Sequence, residues 1–85
     1  MIGAYILVVT KMGRLNTVTP KIESMDNVET VSFVSGTYDI IVRANVPCMS
    51  GLMHLKDQMY KTGDIEKTVT HVISREEKKS IQQVK

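Results

Sequence analysis

The chain has 85 residues, 42% of them apolar but only 5% aromatic, with no tryptophan and a single phenylalanine. That suffices for one domain with a core of Val, Ile, Leu and Met, and it is small enough that a second copy is expected to share its hydrophobic surface. Eleven basic against nine acidic residues give a net charge of +2, and the segment from Arg75 onward holds four of the basic and two of the acidic ones, leaving residues 1–74 neutral. A neutral body lacks the basic stripe that a phosphate backbone selects, so the basic tail reads as a solvated face rather than a nucleic-acid arm.

A single cysteine, Cys48, excludes an internal disulfide and fits a reducing, cytoplasmic compartment. The apolar start "MIGAYILVV" is too short to cross a bilayer and lacks the flanks of a signal peptide.

In chain order, "AYILVVT" (4–10) is a continuous apolar run without alternation, which predicts a strand covered on both faces. Leu15, Val18, Ile22 and Met25 then recur at helical spacing. Asn16 or Thr17 is the expected cap, and Pro20 is expected within the first turn. Asp26-Asn27 ends this helix. A second strand from Val28 to Ser35 alternates, with Val31 and Phe33 on one face and Thr30 and Ser32 on the other. The hinge Ser35-Gly36-Thr37-Tyr38 leads into a third strand, "DIIVRA" (39–44), stopped by Asn45 to Pro47. Cys48, Leu52, Leu55 and Met59 form a second helical stripe, and Gly63 stands where a helix-terminating glycine belongs. The last strand, Ile65 to Ile73, sets Val69, His71 and Ile73 on one face and Thr68, Thr70 and Val72 on the other.

The order β-α-β-β-α-β with right-handed crossovers predicts an α+β, ferredoxin-like sandwich: a four-stranded antiparallel sheet, two helices on one face, the first and third strands central. Residues 1–74 would form the domain and 75–85 a tail. Ser74 and Glu77 in that tail have capping-box spacing, with Ile81 and Val84 as its only apolar residues; a short helix packed on a neighbouring protomer and a frayed end both fit. Two helices cover one sheet face only. Either Tyr5, Leu7 and Val9 or Ala4, Ile6 and Val8, together with Ile41 or Ile40, must therefore form an apolar patch on the other face, which is expected to pair with a second copy.

Few residues suggest chemistry. Cys48 at a helix N-terminus favours a thiolate, yet as the start of a buried stripe it is expected to act as a small core residue. Cys48, Met49, Met53 and His54 could be imagined as a soft-metal set, but although Met49 and Met53 are one turn apart, Cys48, Met53 and His54 fan around the helix, and methionine as core filler accounts for the same residues. His71 is expected to be partly buried by a helix or at an interface. No carboxylate pair, nucleophile elbow, phosphate loop or dinucleotide fingerprint appears, so neither an enzyme nor a cofactor or metal site is expected. Gly36 fits a turn that needs positive φ. Asp39 either bonds nearby backbone at the start of its strand or supplies charge to a ligand.

The segments "AYILVVT", "KIESMDNVETV", "VSGTYDIIVRA" and "TGDIEKTVTHVIS" together resemble the effector-sensing (RAM) domain of the Lrp/AsnC regulators, over residues 3–74. The Gly-x-Tyr-Asp hairpin and the Thr68-x-Thr70 strand are its most specific markers. The chain has no room for the family's helix-turn-helix, so the resemblance is to stand-alone members that do not themselves read DNA sequence. It implies dimers formed through the sheets, rings of eight or ten subunits, mixed assembly with full-length regulators, and an amino acid or similar metabolite bound between protomers at the hairpin. In that reading the backbone of Ser35, Gly36 and Thr37 faces the ligand and Tyr38 walls it. Asp39 meets its ammonium group, and Thr68 and Thr70 offer hydroxyls to its carboxylate. The other expectations compatible with the strand order are a small dimeric monooxygenase or isomerase and an amino-acid-binding ACT domain.

Overall fold

In the computed structural model, which describes residues 1–79, the elements are β1 (Ile2–Thr10), α1 (Leu15–Glu23), β2 (Val28–Phe33), β3 (Ile40–Val46), α2 (Met49–Lys61) and β4 (Ile65–Val72). The strands form one antiparallel sheet in the order β2-β3-β1-β4, with the two apolar runs in the centre. This is the expected ferredoxin-like sandwich.

Pleating decides which residues make the core. Ala4, Ile6 and Val8 of β1 and Ile40, Val42, Ala44 and Val46 of β3 point under the helices and are fully buried. Val18 and Ile22 of α1 and Leu52, Leu55 and Met59 of α2 close over them. The other face carries Tyr5, Leu7, Val9 and Ile41, so the choice left open by the continuous apolar run falls on the odd-numbered set. Registers place Val69 beside Leu7, Leu7 beside Ile41 and Ile41 beside Ser32. The adjacent row is His71, Tyr5, Arg43 and Thr30.

Several local expectations are corrected. β3 continues through Asn45 to Val46 and stops only at Pro47, because Val46 is fully buried and Asn45 donates its amide to the Asn27 carbonyl at 2.9 Å. The longer strand displaces Cys48 from the buried stripe; it is the exposed N-cap of α2, in extended conformation. Met49 and Met53 lie on the outer face of α2 and are exposed, so they fill no core. His71 is exposed on the helix-free face, beside Tyr5, and among the described residues no helix covers it, so of the two expected covers only an interface is left. α1 starts two or three residues earlier than expected. Arg14 is its N-cap without a side-chain bond, and Pro20 sits in the second turn. There the Thr19 hydroxyl donates to the Leu15 carbonyl at 2.7 Å. Residues 74–79 contain no helix, and Ile81 and Val84 lie outside the described residues. Among the described residues no helix is long and apolar enough to cross a membrane.

Candidate ligand site at the hairpin

β2 and β3 are joined by residues 34–39, and the Val34 amide closes this loop on the Asp39 carbonyl at 3.0 Å. Gly36 has φ +140, a region that side chains other than glycine enter only with strain, although a Cβ there would meet nothing within 4 Å. Ser35, Gly36 and Thr37 are exposed, and among the described residues no hydrogen bond engages them.

The base of the loop is firmly held. The Asp39 amide donates to the Val8 carbonyl at 2.9 Å, which extends the β1–β3 ladder by one residue. The Asp39 Oδ2 accepts from the Thr10 amide at 2.9 Å and from the Thr10 hydroxyl at 3.1 Å. The β1–β4 register slips between Val9 and Thr10, and the carboxylate takes up the Thr10 amide at that irregularity. Asp39 thus spans to the next strand rather than capping its own, and among the described residues its Oδ1 makes no bond. Tyr38 and Asp39 are both half-buried. Thr10 was not singled out from the sequence; pairing Val8 with Ile40 across the central strands is what brings it within reach of Asp39.

Thr68 and Thr70 project from β4 to the helix side, opposite Val8 and Ile6. β1 and β3 stand between β4 and the hairpin strand β2, so β3 and β4 are about 10 Å apart at the usual strand spacing. The threonines and the hairpin of one protomer therefore do not line one cleft. The two hydroxyls also differ. Tyr60 of α2 caps Thr68, its phenol oxygen accepting the Thr68 amide at 2.8 Å and lying 3.1 Å from the Thr68 hydroxyl. The Thr70 hydroxyl is buried and has no partner among the described residues, which costs free energy unless something else bonds it. Tyr60 is a second residue that the sequence pattern did not reveal, because it lies off the buried stripe of its helix.

Elsewhere, the Cys48 thiol is drawn below the usual range, first by its contact with the Ser50 hydroxyl at 3.1 Å and then by the Gly51 amide. No three His, Cys, Asp or Glu side chains converge as a metal site among the described residues.

The profile of the Lrp/AsnC ligand binding domain matches residues 3–83. The chain belongs to that family. Among solved structures, FFRP-DM1 is 30% identical with a TM-score of 0.80, the match covering 86% of this chain and 99% of that one. A hypothetical protein, PHS023 from Pyrococcus horikoshii, is also 30% identical, with a TM-score of 0.79 and coverage of 89% and 93%. The regulator NMB0573 of Neisseria meningitidis, solved with L-Met, shares the fold at 15% identity and a TM-score of 0.85; the match covers 93% of this chain and 53% of that one. No curated protein sequence matches this chain.

Proposed function

We propose that this protein acts as an amino-acid-sensing domain that pairs through its open sheet face, binds its effector at the hairpin between protomers, and modulates transcription regulators of its own family by mixed assembly. It works by binding its effector and performs no catalysis. The observation that carries the reading is the hairpin of a chain that belongs to a ligand-binding family. Three exposed residues, Ser35, Gly36 and Thr37, have unengaged backbone groups, above a base pinned to β1 through Asp39 and Thr10.

A free amino acid is a zwitterion, so its site needs acceptors at one end and donors at the other. The hairpin carbonyls and the free Asp39 oxygen serve the ammonium group, and the hairpin amides serve the carboxylate. Thr68 and the unpartnered Thr70 come from a neighbouring protomer, because their own hairpin lies across the sheet. Tyr38 walls the site. The complex of the Neisseria regulator with L-Met supports an amino acid as the ligand class. Assembly beyond the dimer, into rings of eight or ten, would bring hairpin and threonines of different protomers together.

The test is a thermal-shift screen of the twenty amino acids against wild type, Asp39→Asn and Gly36→Ala, with light scattering to verify assembly. Asparagine keeps an oxygen for Thr10 while removing the charge, and alanine at 36 strains the turn without a clash. At least one amino acid should raise the melting temperature in a concentration-dependent way, and both variants should bind it at least tenfold more weakly. Equal binding by intact oligomers of all three would reduce the hairpin to a turn.

A further inference from the structure

We infer that residues 74–79 form part of the surface on which a second copy of this chain docks, an inference that rests on the sheet-face pairing proposed above. After β4 the chain does not leave the sheet. The Ile73 amide donates to the Gly3 carbonyl at 2.8 Å, which keeps the chain against β1. Glu76 then reaches inward over the open face to side chains of both central strands. One of its oxygens accepts from the Tyr5 hydroxyl at 3.2 Å and the other from Nη2 of Arg43.

Arg43 is held from the opposite side as well. A bulge between Val28 and Thr30 sets Glu29 outside the β2–β3 pairing, and its carboxylate accepts from Nη1 of Arg43. The guanidinium thus bridges a carboxylate from β2 and one from the tail, with its carbon 6.0 Å from the centre of the Tyr5 ring. Gly3 makes room beneath it. A Cβ at that position would stand 3.4 Å from Nη2 of Arg43 and 3.4 Å from Cδ1 of Ile73. The tail therefore lies clasped along one end of the helix-free face.

Area decides whether a partner covers that end. The apolar band of the face consists of Leu7, Val9, Ile41 and Val69, each already half-buried in the protomer. Four aliphatic side chains in that state offer on the order of 200 Å², against the roughly 800 Å² per partner of a stable interface. A second copy must extend beyond the band. In one direction lies the exposed Lys67, beside Val9. In the other the apolar surface continues through Tyr5, 37% exposed, to the half-buried Ile73, and this is where the clasp sits. The partner that fills the missing area therefore covers the Arg43–Glu76 clasp and the chain that carries it.

Sedimentation velocity over a dilution series of the full chain tests this, with Val69→Glu on the edge strand as the probe of the sheet face and Glu76→Arg as the probe of the tail. Glu76 is exposed, so its replacement leaves the fold intact, which circular dichroism verifies. Glu76→Arg sets two guanidinium groups against each other, and the dimer dissociation constant should rise at least tenfold; Val69→Glu should raise it further. If Val69→Glu breaks the dimer while Glu76→Arg pairs as tightly as wild type, the tail lies outside the interface and this inference alone fails. If wild type is monomeric at micromolar concentration, or if Val69→Glu changes nothing, the sheet-face pairing fails and the inference fails with it.

Discussion

The two faces of the sheet are built from the same strands and solve opposite problems. On the covered face, Ala4, Ile6, Val8, Ile40, Val42, Ala44 and Val46 have no exposed surface at all. On the open face their immediate neighbours Leu7, Val9 and Ile41 are only half-buried, and in the next row Tyr5 stands between the polar His71 and Arg43. A strand that is apolar on both sides, in a chain with helices for one, leaves its second side open, and the sheet-face pairing proposed above would cover it. The hydrophobic pattern specifies the fold, and under that proposal the same pattern accounts for the partner.

The contrast is sharpened most by adjacent substitutions on β1. Ile6→Ala should cost about 2–5 kcal/mol of folding stability, the range for truncating a fully buried aliphatic side chain. Leu7→Ala should cost less than half as much, and its cost should vary with protein concentration because part of it belongs to association. Urea denaturation of both variants at several concentrations measures this. Equal, concentration-independent losses would mean that the faces are not different in kind.

A smaller effect comes from comparing two carboxylates. Asp64, 5% exposed, lies at the margin of the covered layer. It holds Lys21 of α1 at 3.0 Å and lies 3.8 Å from Nε of Arg14. Its backbone carbonyl also accepts the Lys11 amide at 2.8 Å. Because Lys21 and Arg14 are themselves exposed and can rehydrate, Asp64→Ala should cost about 1–2 kcal/mol rather than the full penalty of a broken buried pair. Chemical denaturation at fixed pH measures it, and a loss below a few tenths of a kcal/mol would show that the pair is ornamental.

Glu76, on the open face, should show itself mainly through pH. Its hydrogen bond with Arg43, helped by the charge of Arg43 and by Tyr5, holds its carboxyl below the usual range. A depressed folded pKa means that the contribution is complete above the ordinary glutamate value of about 4.3 and is lost as pH falls through the lower folded value. Wild type should therefore lose a small increment of thermal stability below about pH 4 that Glu76→Gln does not lose. Identical acid profiles would mean that the clasp does not form in solution.

Much of this architecture was legible in the sequence because it follows from period and order. The two non-alternating runs had to be central strands, Gly63 had to close α2, and the alternation of residues 30–33 and 68–73 assigned faces correctly. What was not legible depends on register and on where elements stop. Cys48 stands four residues before Leu52, a spacing that implies burial, but the extension of β3 through Val46 makes it a cap instead. Methionine serves core and surface alike, so Met49 and Met53 carried no signal of exposure. The partner of Asp39 could be known only once Val8 was set against Ile40, and the Arg43–Glu76 clasp only once the chain was seen to turn back over its own sheet. In the candidate site, the hairpin was readable from Gly36 and its neighbours. The separation of Thr68 and Thr70 from it was not, since strand order in space differs from order in the chain.

The claim that matters most is that an amino acid engages the open backbone of residues 35–37. Hydrogen–deuterium exchange of the assembled protein, with and without the amino acid that shifts its melting temperature most, tests it directly. The account predicts slowed exchange in the hairpin, residues 34–39, and around Thr68 to Thr70, with little change in α1. Protection confined to other segments, with the hairpin amides exchanging as fast as before, would contradict it.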